Sequence, residues 1–475
     1  MKIKKRKKLF LILTPIVAII IIGICVLVIL IVYFPNVFYP KMKFDKMPEI
    51  QSNDRVLILA PHPDDEAIAA CGVIQKSLEA GAKVKVAYLT NGDANQLSFI
   101  IFEKKLVAFP KQFVYSGELR RKESIAGMKA LGLNEDDLVF LGYPDFGTLN
   151  ILYKYWGKND AYKSPITHNS KVPYPECFSP GAPYRGESII NDLNSVISDF
   201  KPTKIFVSSP IDLNKDHRAL YLFTQVVLWD LWDKLETKPV LFTYLVHSYS
   251  FPKPKGYRPL QELLPPEGII GDEITWSKLE LNSSEVLKKY NTIQNYKSQI
   301  KYNPSFLVSF ARSDELFGQF SNISLYNQNN INIKDIKWQG VGLIHGSNFD
   351  SQYNQGLLGL SYAIVDSDIY VKVGLKRLID KDFGVSIFLL GYSKGKDFSN
   401  MPKIHVIIGT TGIKIMDKDV LISAREDQPV YEGNSLIIKV PLDSLGNPDY
   451  ILSSAETRAR DIPLDATAWR IIVLN

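Results

Sequence analysis

Cysteine is scarce in this chain, which has three cysteines among 475 residues. Cys25 lies inside an apolar run near the amino terminus, so only Cys71 and Cys177 remain for the rest of the sequence. The sequence does not establish whether these two form a disulfide. Cys71 lies in a stretch rich in small residues, and we expect it to pack in a core rather than to ligate a metal.

A net positive charge is also absent from the chain once the amino-terminal tail is set aside. The formal net charge is +6 at pH 7, and Lys and Arg within residues 1–8 supply six positive charges. The remainder is therefore close to neutral and offers no basic field to a polyanion, so we expect no nucleic-acid partner. Hydrophobic residues make up 46% of the chain and charged residues 22%, which is typical of a folded protein.

Residues 9–34 form an almost uninterrupted apolar run without a charged residue, long enough to span a bilayer as a helix. A cleaved signal peptide would have a shorter apolar core and a small-x-small cleavage site, which the residues after Ile31 do not offer. The basic residues before the run predict a cytoplasmic amino terminus. The sequence thus predicts a cytoplasmic tail (1–8), a transmembrane anchor (9–34) and a juxtamembrane spacer (35–52), in a single-pass cell-membrane protein whose folded part is extracellular.

An α/β domain is predicted over residues 53–320. Strand-like and helix-like segments alternate from Asp54 to about Ser248, which is typical of a mainly parallel, Rossmann-like sheet with helices on both faces. Residues 94–116 and 142–186 look too irregular for core elements, and we expect them to shape substrate access. Residues 283–318 are expected to be helical.

The rhythm changes after a polar stretch at 321–332, which we interpret as a linker. Short alternating runs separated by turn residues predict an all-β sandwich over residues 333–475. The expected strands are 362–365, 369–375, 384–390, 404–408, 436–440 and 469–474. The end of the chain faintly resembles DOMON-like and carbohydrate-binding sandwiches, while a purely structural or spacer sandwich fits equally well.

The segment Pro61–Glu66, sequence PHPDDE, contains the candidate metal-binding and catalytic residues. It follows the apolar run 55–60, which predicts a buried strand, and open α/β sheets place their sites at the carboxyl ends of strands. A His with two adjacent carboxylates can hold a divalent metal and leave one carboxylate free as a base. The alternative is an acidic turn in which Asp64 or Asp65 caps a helix. The full motif in its strand-to-helix context favours the site.

In this motif the chain resembles the PIG-L/LmbE-type zinc-dependent N-acetylglucosamine deacetylases. The resemblance extends over roughly Asp54 to Phe317. It includes the strand 83–90 ending in Asn91-Gly92-Asp93, the stretch from Arg120 expected to open a helix that closes at Leu131-Gly132, the strand ending in Asp145, and the strand 205–210 leading into the segment 212–218. Residues 296–299 and 312–315 also look like family helices.

The resemblance implies a Zn²⁺ cofactor and roles for four residues. His62, Asp65 and His217 would be the zinc ligands, and Asp64 would be the general base that acts on a metal-bound water. Three N/O ligands with a fourth position left for water is what hydrolytic zinc requires. For His217 alone, a helix-start residue packed against Asp216 is the competing interpretation.

The sequence departs from the family at Asn214. Many members have a His there, in a His-x-x-His segment, where it acts as an acid or oxyanion donor. Asn can donate a hydrogen bond but cannot deliver a proton. His247, at the end of the apolar run 240–246, is the candidate for that proton, and a His that caps a strand is the alternative. His168, His345 and His405 are expected to be structural or surface residues.

Four further residues are candidates for substrate binding. Arg120 or Arg121 would contact the sugar or a carboxylate near the site, with a helix-start charge paired to Glu123 as the alternative. Asp93 and Asp145 would accept hydrogen bonds from sugar hydroxyls, although Asp is also common in turns.

The sequence therefore predicts a membrane-tethered zinc-dependent hydrolase that removes the N-acetyl group from N-acetylglucosamine units of a cell-surface glycan or glycolipid. Two alternatives stay open: a metal-dependent amidase for another small acylated amine, and a catalytically weak surface protein that binds glycan. The oligomeric state is not predicted.

Overall fold

The structure is a computed structural model that describes residues 22–23, 26, 44–104, 109–157, 161–249, 251–266, 269, 273–340, 344–345, 356–425, 429–460 and 462–475. The predicted tail (1–8) and nearly all of the predicted anchor (9–34) lie outside these residues, as does the first half of the spacer. Within the described ranges, no helix has the length and apolar character needed to cross a bilayer. Lys46–Asn475 forms one compact unit.

An open α/β sheet fills the first part of this unit. Its strands are β2 (Arg55–Ala60), β3 (Lys83–Thr90), β4 (Leu138–Tyr143), β5 (Lys204–Ser208), β6 (Val240–Tyr244), β7 (Ile274–Glu280) and β8 (Asp314–Phe320), and a two-residue strand, β1 (Asp45–Lys46), precedes them. They lie in the order β7-β8-β6-β5-β2-β3-β4, with β6 to β4 mutually parallel and β8 antiparallel to both of its neighbours.

The sheet topology creates a crevice between β2 and β5. The chain runs outward from β2 through β3 to β4 and then returns to β5 on the other side of β2. Such a change of direction leaves a crevice at the carboxyl ends of the two central strands, where open α/β sheets bind their ligands. Strand β2 is central because Val56–Ala60 is apolar and fully buried, as a strand covered on both faces must be.

Ten helices are described in this part of the chain: α1 (Asp65–Ala69), α2 (Cys71–Glu79), α3 (Gln96–Glu103), α4 (Pro110–Leu131), α5 (Thr148–Lys154), α6 (Gly186–Phe200), α7 (Lys215–Leu231), α8 (Ser283–Ile293), α9 (Lys297–Tyr302) and α10 (Pro304–Val308). Between β2 and β3 the chain forms two helices, divided at Ala70. The prediction that Arg120 opens a helix was wrong, because α4 begins at Pro110, a residue that suits a first helical turn. Helix α3 and the start of α4 also occupy the segment expected to be irregular.

Two further expectations about 283–332 need correction. Residues 314–318 are not helical but belong to β8, because Asp314 to Phe320 pairs along its whole length with β7. Within the predicted linker, Ile323–Leu325 forms strand β9, which pairs in parallel with a strand at the end of the chain. In both places pairing with a distant strand decides the local structure.

The rest of the chain is a β-sandwich, as the alternating pattern predicts. Its strands are β10 (Ile344–His345), β11 (Leu357–Val365), β12 (Asp368–Leu375), β13 (Gly384–Tyr392), β14 (Lys403–Gly409), β15 (Gly412–Asp417), β16 (Val420–Arg425), β17 (Val430–Glu432), β18 (Ser435–Pro441), β19 (Tyr450–Ala459), β20 (Ile462–Thr467) and β21 (Arg470–Leu474). A nine-stranded sheet contains β13, β14 and β19 side by side with others, and β11, β12, β18 and β17 form a four-stranded sheet. One apolar cluster draws side chains from both sheets.

The sandwich packs against the α/β domain through aromatic rings. Trp229 of α7 stacks on Tyr450 with ring centroids 4.7 Å apart, and Tyr153 of α5 stacks on Phe388 at the same distance. The backbone N–H of Trp469 donates to the carbonyl of Pro210, on the loop after β5. The sandwich therefore contacts α5, α7 and the loop after β5.

Candidate active site

The loop after β2 brings His62, Asp64 and Asp65 to the crevice. Buried Glu66 anchors this loop, since its carboxylate accepts the backbone N–H of Asp64 and the hydroxyls of Ser124, Tyr88 and Tyr296. A carboxylate with four donors is held rigidly, even though burial raises its pKa. These contacts make Glu66 the residue that orients the loop.

The loop after β5 supplies the opposite wall of the crevice. Asp212 accepts the backbone N–H groups of Asn214, Val246 and His247, so it joins this loop to the segment after β6. The same carboxylate lies 3.1 Å from Nδ1 of His217. A carboxylate behind a histidine fixes the orientation of the ring and leaves Nε2 for another partner.

His62, Asp65 and His217 meet at one point, where their donor atoms lie within 4.8 Å of one another. Oδ2 of Asp65 is 3.2 Å from Nδ1 of His62 and 3.2 Å from Nε2 of His217. A tetrahedral zinc ion with bonds of about 2.0–2.1 Å holds its donor atoms roughly 3.3 Å apart. Because His217 is fully buried and its Nε2, which faces Asp65, has no hydrogen-bond partner among the described residues, the site fits a metal ion.

The charges of the cluster also favour a bound cation. Burial opposes protonation of His217, but Asp212 and Asp65 outweigh it and raise the pKa of the ring to about 9. For His62 burial is likewise outweighed, chiefly by Asp145, and its pKa rises well above the usual value. Carboxylates that hold two buried imidazoles in their protonated form provide the surplus negative charge that a divalent cation neutralises.

A second group shares His62. Its Nε2 lies 3.2 Å from Asp145 and 3.4 Å from Asp216, and these three residues also satisfy the geometry of a metal-ligand set. Asp216 is already the acceptor for Thr148 and for the backbone N–H of Phe146. With its lone pairs thus occupied, Asp216 is better suited to orienting His62 than to binding a second ion.

Asp64 lies beside the ligand set and faces Arg120. Nη2 of Arg120 is 3.2 Å from the Asp64 carboxylate, and the guanidinium also donates to the carbonyls of Pro63 and Gly92. Burial raises the pKa of Asp64 to about 7 despite the opposing charge of Arg120. Its backbone has φ of 128°, a conformation that a non-glycine residue adopts at a cost of about 1–3 kcal/mol. The fold thus maintains a strained carboxylate poised near neutral pH.

The ring of His247 reaches the cluster, and Asn214 lies at the start of the helix that carries His217. The ring centroid of His247 is 4.8 Å from that of His217, and burial lowers the pKa of His247 to about 4. At neutral pH the ring is therefore uncharged. Oδ1 of Asn214 accepts the backbone N–H of Asp216 and caps α7, which leaves its amide nitrogen as a donor.

The four predicted substrate contacts fall in different places. Arg120 is buried against Asp64, and Asp145 lies against His62. Asp93 accepts the hydroxyl of Tyr174, and burial together with Asp145 raises its pKa to about 7. Arg121 pairs with Glu118 and lies over the ring of Phe140, away from the ligand set. The alternative pairing to Glu123 is not formed, since Glu123 accepts from Ser298.

Sequence reasoning missed Asp212 and Asp216 as parts of the site. Both stand in the segment 212–218 that had been singled out, yet their partners lie on the segments after β6 and β4. The two cysteines outside the apolar run are free and buried, so no disulfide joins them. Cys71 packs in α2, where burial raises its thiol pKa to about 12, and it is not in either ligand set.

Residues 57–228 match the family model described as PIG-L, GlcNAc-PI de-N-acetylase. A search of curated proteins finds no significant match. Three similar solved structures are N,N'-diacetylchitobiose deacetylase from Pyrococcus horikoshii (17% identity, TM-score 0.35, 60% of this chain and 90% of that one), a zinc-inhibited form of teicoplanin deacetylase (16%, 0.36, 56% and 98%) and 4-carboxy-2-hydroxymuconate hydratase from Pseudomonas putida (16%, 0.31, 56% and 96%).

With TM-scores of 0.31–0.36, these structures indicate nothing about the function of this chain. The functional interpretation depends on the family match and on the site itself. The matched region contains His62, Asp64, Asp65 and His217. The predicted resemblance to this family is thereby confirmed. The prediction that the protein is an N-deacetylase enzyme is confirmed at the level of the family description. Residues 57–228 form a domain of the PIG-L family of de-N-acetylases.

Proposed function

We propose that the protein is a zinc-dependent N-deacetylase acting on N-acetylglucosamine units of a cell-surface glycan or glycolipid. The observation that carries the proposal is the buried set His62, Asp65 and His217, with Asp64 beside it, at the crevice of a PIG-L domain.

These three residues would hold the zinc, which when bound would act as a Lewis acid and make water nucleophilic near neutral pH. Asp65 is central to the set because one of its oxygens lies 3.2 Å from each histidine. Asp212 and Asp216 stand behind the two histidines and orient their rings.

Asp64 acts as the general base. A pKa of about 7 lets the carboxylate accept a proton from the attacking water and return it to the departing amine within one cycle. Arg120 is a positioning residue, because it binds Asp64, the carbonyl of Pro63 in the same loop and the carbonyl of Gly92 in the loop after β3. Without that clamp the strained loop would relax and the carboxylate would move.

His247 and Asn214 then serve as neutral hydrogen-bond donors to the oxygen of the acetamide as negative charge develops on it. The low pKa of His247 argues against the role first expected from its position, that of the cationic acid which protonates the amine. Proton return by Asp64 requires no second titrating group, which accommodates Asn in the place where many family members have His.

Acetate release tests the proposal. The purified full-length protein, loaded with zinc, is incubated with N-acetylglucosamine, short chitin oligosaccharides and an N-acetylglucosaminyl lipid, and acetate is quantified. We expect release from at least one of these and none from N-acetylglucosamine-free glycans. Absence of acetate from every N-acetylated sugar, at full zinc occupancy, would exclude the proposed substrate class.

The location of the enzyme is a second part of the proposal. The basic residues before the apolar run 9–34 support an anchored enzyme with an extracellular catalytic domain. Protease added to intact cells should then digest the domain after about Pro35 and spare the amino-terminal tail. Protection of the domain in intact cells, with digestion after lysis, would contradict this orientation.

A further inference from the structure

A cleft separates the β-sandwich from helices α5 and α7 of the α/β domain. It has a volume of about 400 Å³, within the range of small-molecule sites. One wall is formed by the outer face of β13, β14 and β19, and the other by α5 and the first turn of α7. The mechanism proposed above uses none of the side chains that line it.

Positive charge dominates the lining. Five basic side chains face two acidic ones, and they are drawn from both domains: Lys154, Lys215, Arg218, Lys403 and Arg458 against Asp419 and Glu456. Lys154 is paired with Asp419 at 2.6 Å. Lys403 donates to two backbone carbonyls. Lys215, Arg218 and Arg458 therefore outnumber Glu456, and the cleft retains net positive charge.

Two buried polar atoms in the lining have no hydrogen-bond partner. Oγ of Ser386 is one, in a residue only 1% exposed, and Nε2 of His405 is the other. A buried hydroxyl without a partner costs about 1–3 kcal/mol, so such groups are uncommon unless a ligand satisfies them. The next residues along β13 and β14, on the opposite face, belong to the apolar core.

Aromatic rings form the floor of the cleft. Phe388 is stacked between Tyr153 at 4.7 Å and His405 at 4.4 Å, and Trp469 lies beside them. These rings give the cleft an apolar lining beside hydroxyl and carboxylate groups, a combination that suits a sugar ring. Glu456 can accept from the hydroxyls of such a ring. The positive charges of Lys215, Arg218 and Arg458 favour an anionic substituent, and Arg218 also donates to the carbonyls of Asp212 and Leu213.

We propose that this cleft is a second ligand site, and that it binds an anionic saccharide, a sugar unit carrying a carboxylate or a phosphate. It is linked to the deacetylase centre through its wall. Lys215 directly precedes Asp216, and Thr148, which donates to Asp216, is followed by two residues that line the cleft. A saccharide bound there contacts both domains and holds an acidic glycan against the catalytic domain.

Calorimetric titration of the full-length protein tests the site with probes that lack an N-acetyl group, so the outcome is independent of deacetylation. The probes are a glucuronic-acid disaccharide, glucose 6-phosphate, the neutral disaccharide maltose and inorganic phosphate. We expect one of the two acidic sugars to bind at millimolar concentration or below, and maltose and phosphate to bind at least about tenfold more weakly. The two acidic sugars distinguish a carboxylate from a phosphate as the recognised group.

Two variants with a matched control locate the binding. Arg458→Gln should weaken binding about tenfold or more, since a charge-assisted hydrogen bond is lost, while Arg460→Gln, on an 82% exposed side chain outside the lining, should leave it unchanged. Ser386→Ala should weaken binding severalfold yet melt at the same or a higher temperature, because an unpartnered hydroxyl is removed.

Three results would overturn the site: no binding of either acidic sugar at millimolar concentration, equal binding of maltose or of inorganic phosphate, or unaltered affinity in both Arg458→Gln and Ser386→Ala. A folded Arg458→Gln protein, checked by its melting temperature, makes the last result decisive.

Discussion

Asp64 illustrates how a single residue acquires a function from its surroundings. Its backbone is strained, with φ of 128°. An ion pair with Arg120 and a hydrogen bond from its backbone N–H to Glu66 hold it in that conformation, which a solvated turn would not maintain. A helix-capping role, the alternative that the sequence left open, is not observed, because the Asp64 side chain makes no capping hydrogen bond.

Asp64→Asn should separate metal binding from chemistry. The amide keeps the shape of the side chain but cannot accept a proton, and a general base contributes roughly 10²–10⁴-fold. We expect zinc content near that of the wild type and turnover lower by a factor of about 100 or more. Asp136→Asn, which alters an exposed carboxylate, is the matched control and should retain turnover. Near-full turnover in Asp64→Asn would place the base elsewhere, and loss of zinc would make Asp64 a ligand.

His217→Ala tests the ligand set at the same scale. The ring is completely buried and Asp212 and Asp65 are its only charged neighbours within ion-pair distance among the described residues, so its removal leaves two carboxylates without a common partner. We expect zinc occupancy, measured by elemental analysis after dialysis, to fall at least about tenfold. His168→Ala, at an exposed position, should keep its zinc. Equal occupancy in both variants would refute the assignment of His217.

At the level of the element, the turn after β3 holds the catalytic loop in place. Gly92 has φ of 65°, and a Cβ there would lie 2.1 Å from Nη1 of Arg120, far inside contact distance. Gly92→Ala should therefore displace the guanidinium that clamps Asp64. We expect turnover to fall about tenfold or more with zinc content preserved, in addition to about 1 kcal/mol of backbone cost.

Gly181→Ala is the control for that variant. It has φ of 79° and nothing within 4 Å of its Cβ, so it carries the same backbone cost without the clash. Its turnover should match that of the wild type while its stability falls by a similar amount. If both variants lose turnover equally, the effect comes from destabilisation and the clamp by Arg120 is not needed.

The elements also show what a sequence can predict. Strand β2 was located correctly because it is a continuous apolar run that ends in polar residues, a pattern produced by burial on both faces. Strand β3, which begins with alternating Lys and Val, was located through the family resemblance. Strand β8 was missed, because Asp314 and Glu315 resemble a helix start and only pairing with β7 makes them a strand. Residues that are adjacent in a motif were correctly assigned to one site. Asp212 and Arg120 act through partners far along the chain, and no local sequence pattern contains those partners.

At the scale of the whole molecule, the α/β domain and the sandwich behave as one unit. The stacked pairs Trp229–Tyr450 and Tyr153–Phe388 join them, and Arg470 of β21 forms an ion pair with Glu273 and a hydrogen bond with the carbonyl of Ser321. Contacts of this kind transmit the stability of one domain to the other. A perturbation in the sheet facing the cleft should therefore register in the unfolding of the entire compact unit.

His405 provides such a perturbation, since it lies in β14 between the domains. Burial, assisted by Arg458 and opposed by Asp419, lowers its pKa from 6.5 to about 4. Between these pH values the unfolded chain binds a proton that the folded protein does not, so stability is present above about pH 6.5 and is lost as the pH falls toward 4. The contribution of this residue to the loss is about 2 kcal/mol at pH 5 relative to pH 7.5.

His405→Gln removes the titrating group and should make unfolding less sensitive to acid. The free energy of unfolding, from denaturant titration at pH 7.5 and pH 5.0, should fall by about 2 kcal/mol less in the variant than in the wild type. His168→Gln, at an exposed position, should retain the full pH dependence of the wild type. Because the difference between the two pH values is compared, any cost of the substitution that does not depend on pH cancels. If the free energy of unfolding falls equally in His405→Gln and in the wild type between the two pH values, His405 protonates as readily in the folded protein as in the unfolded chain. The interface between the domains would then admit water at this position.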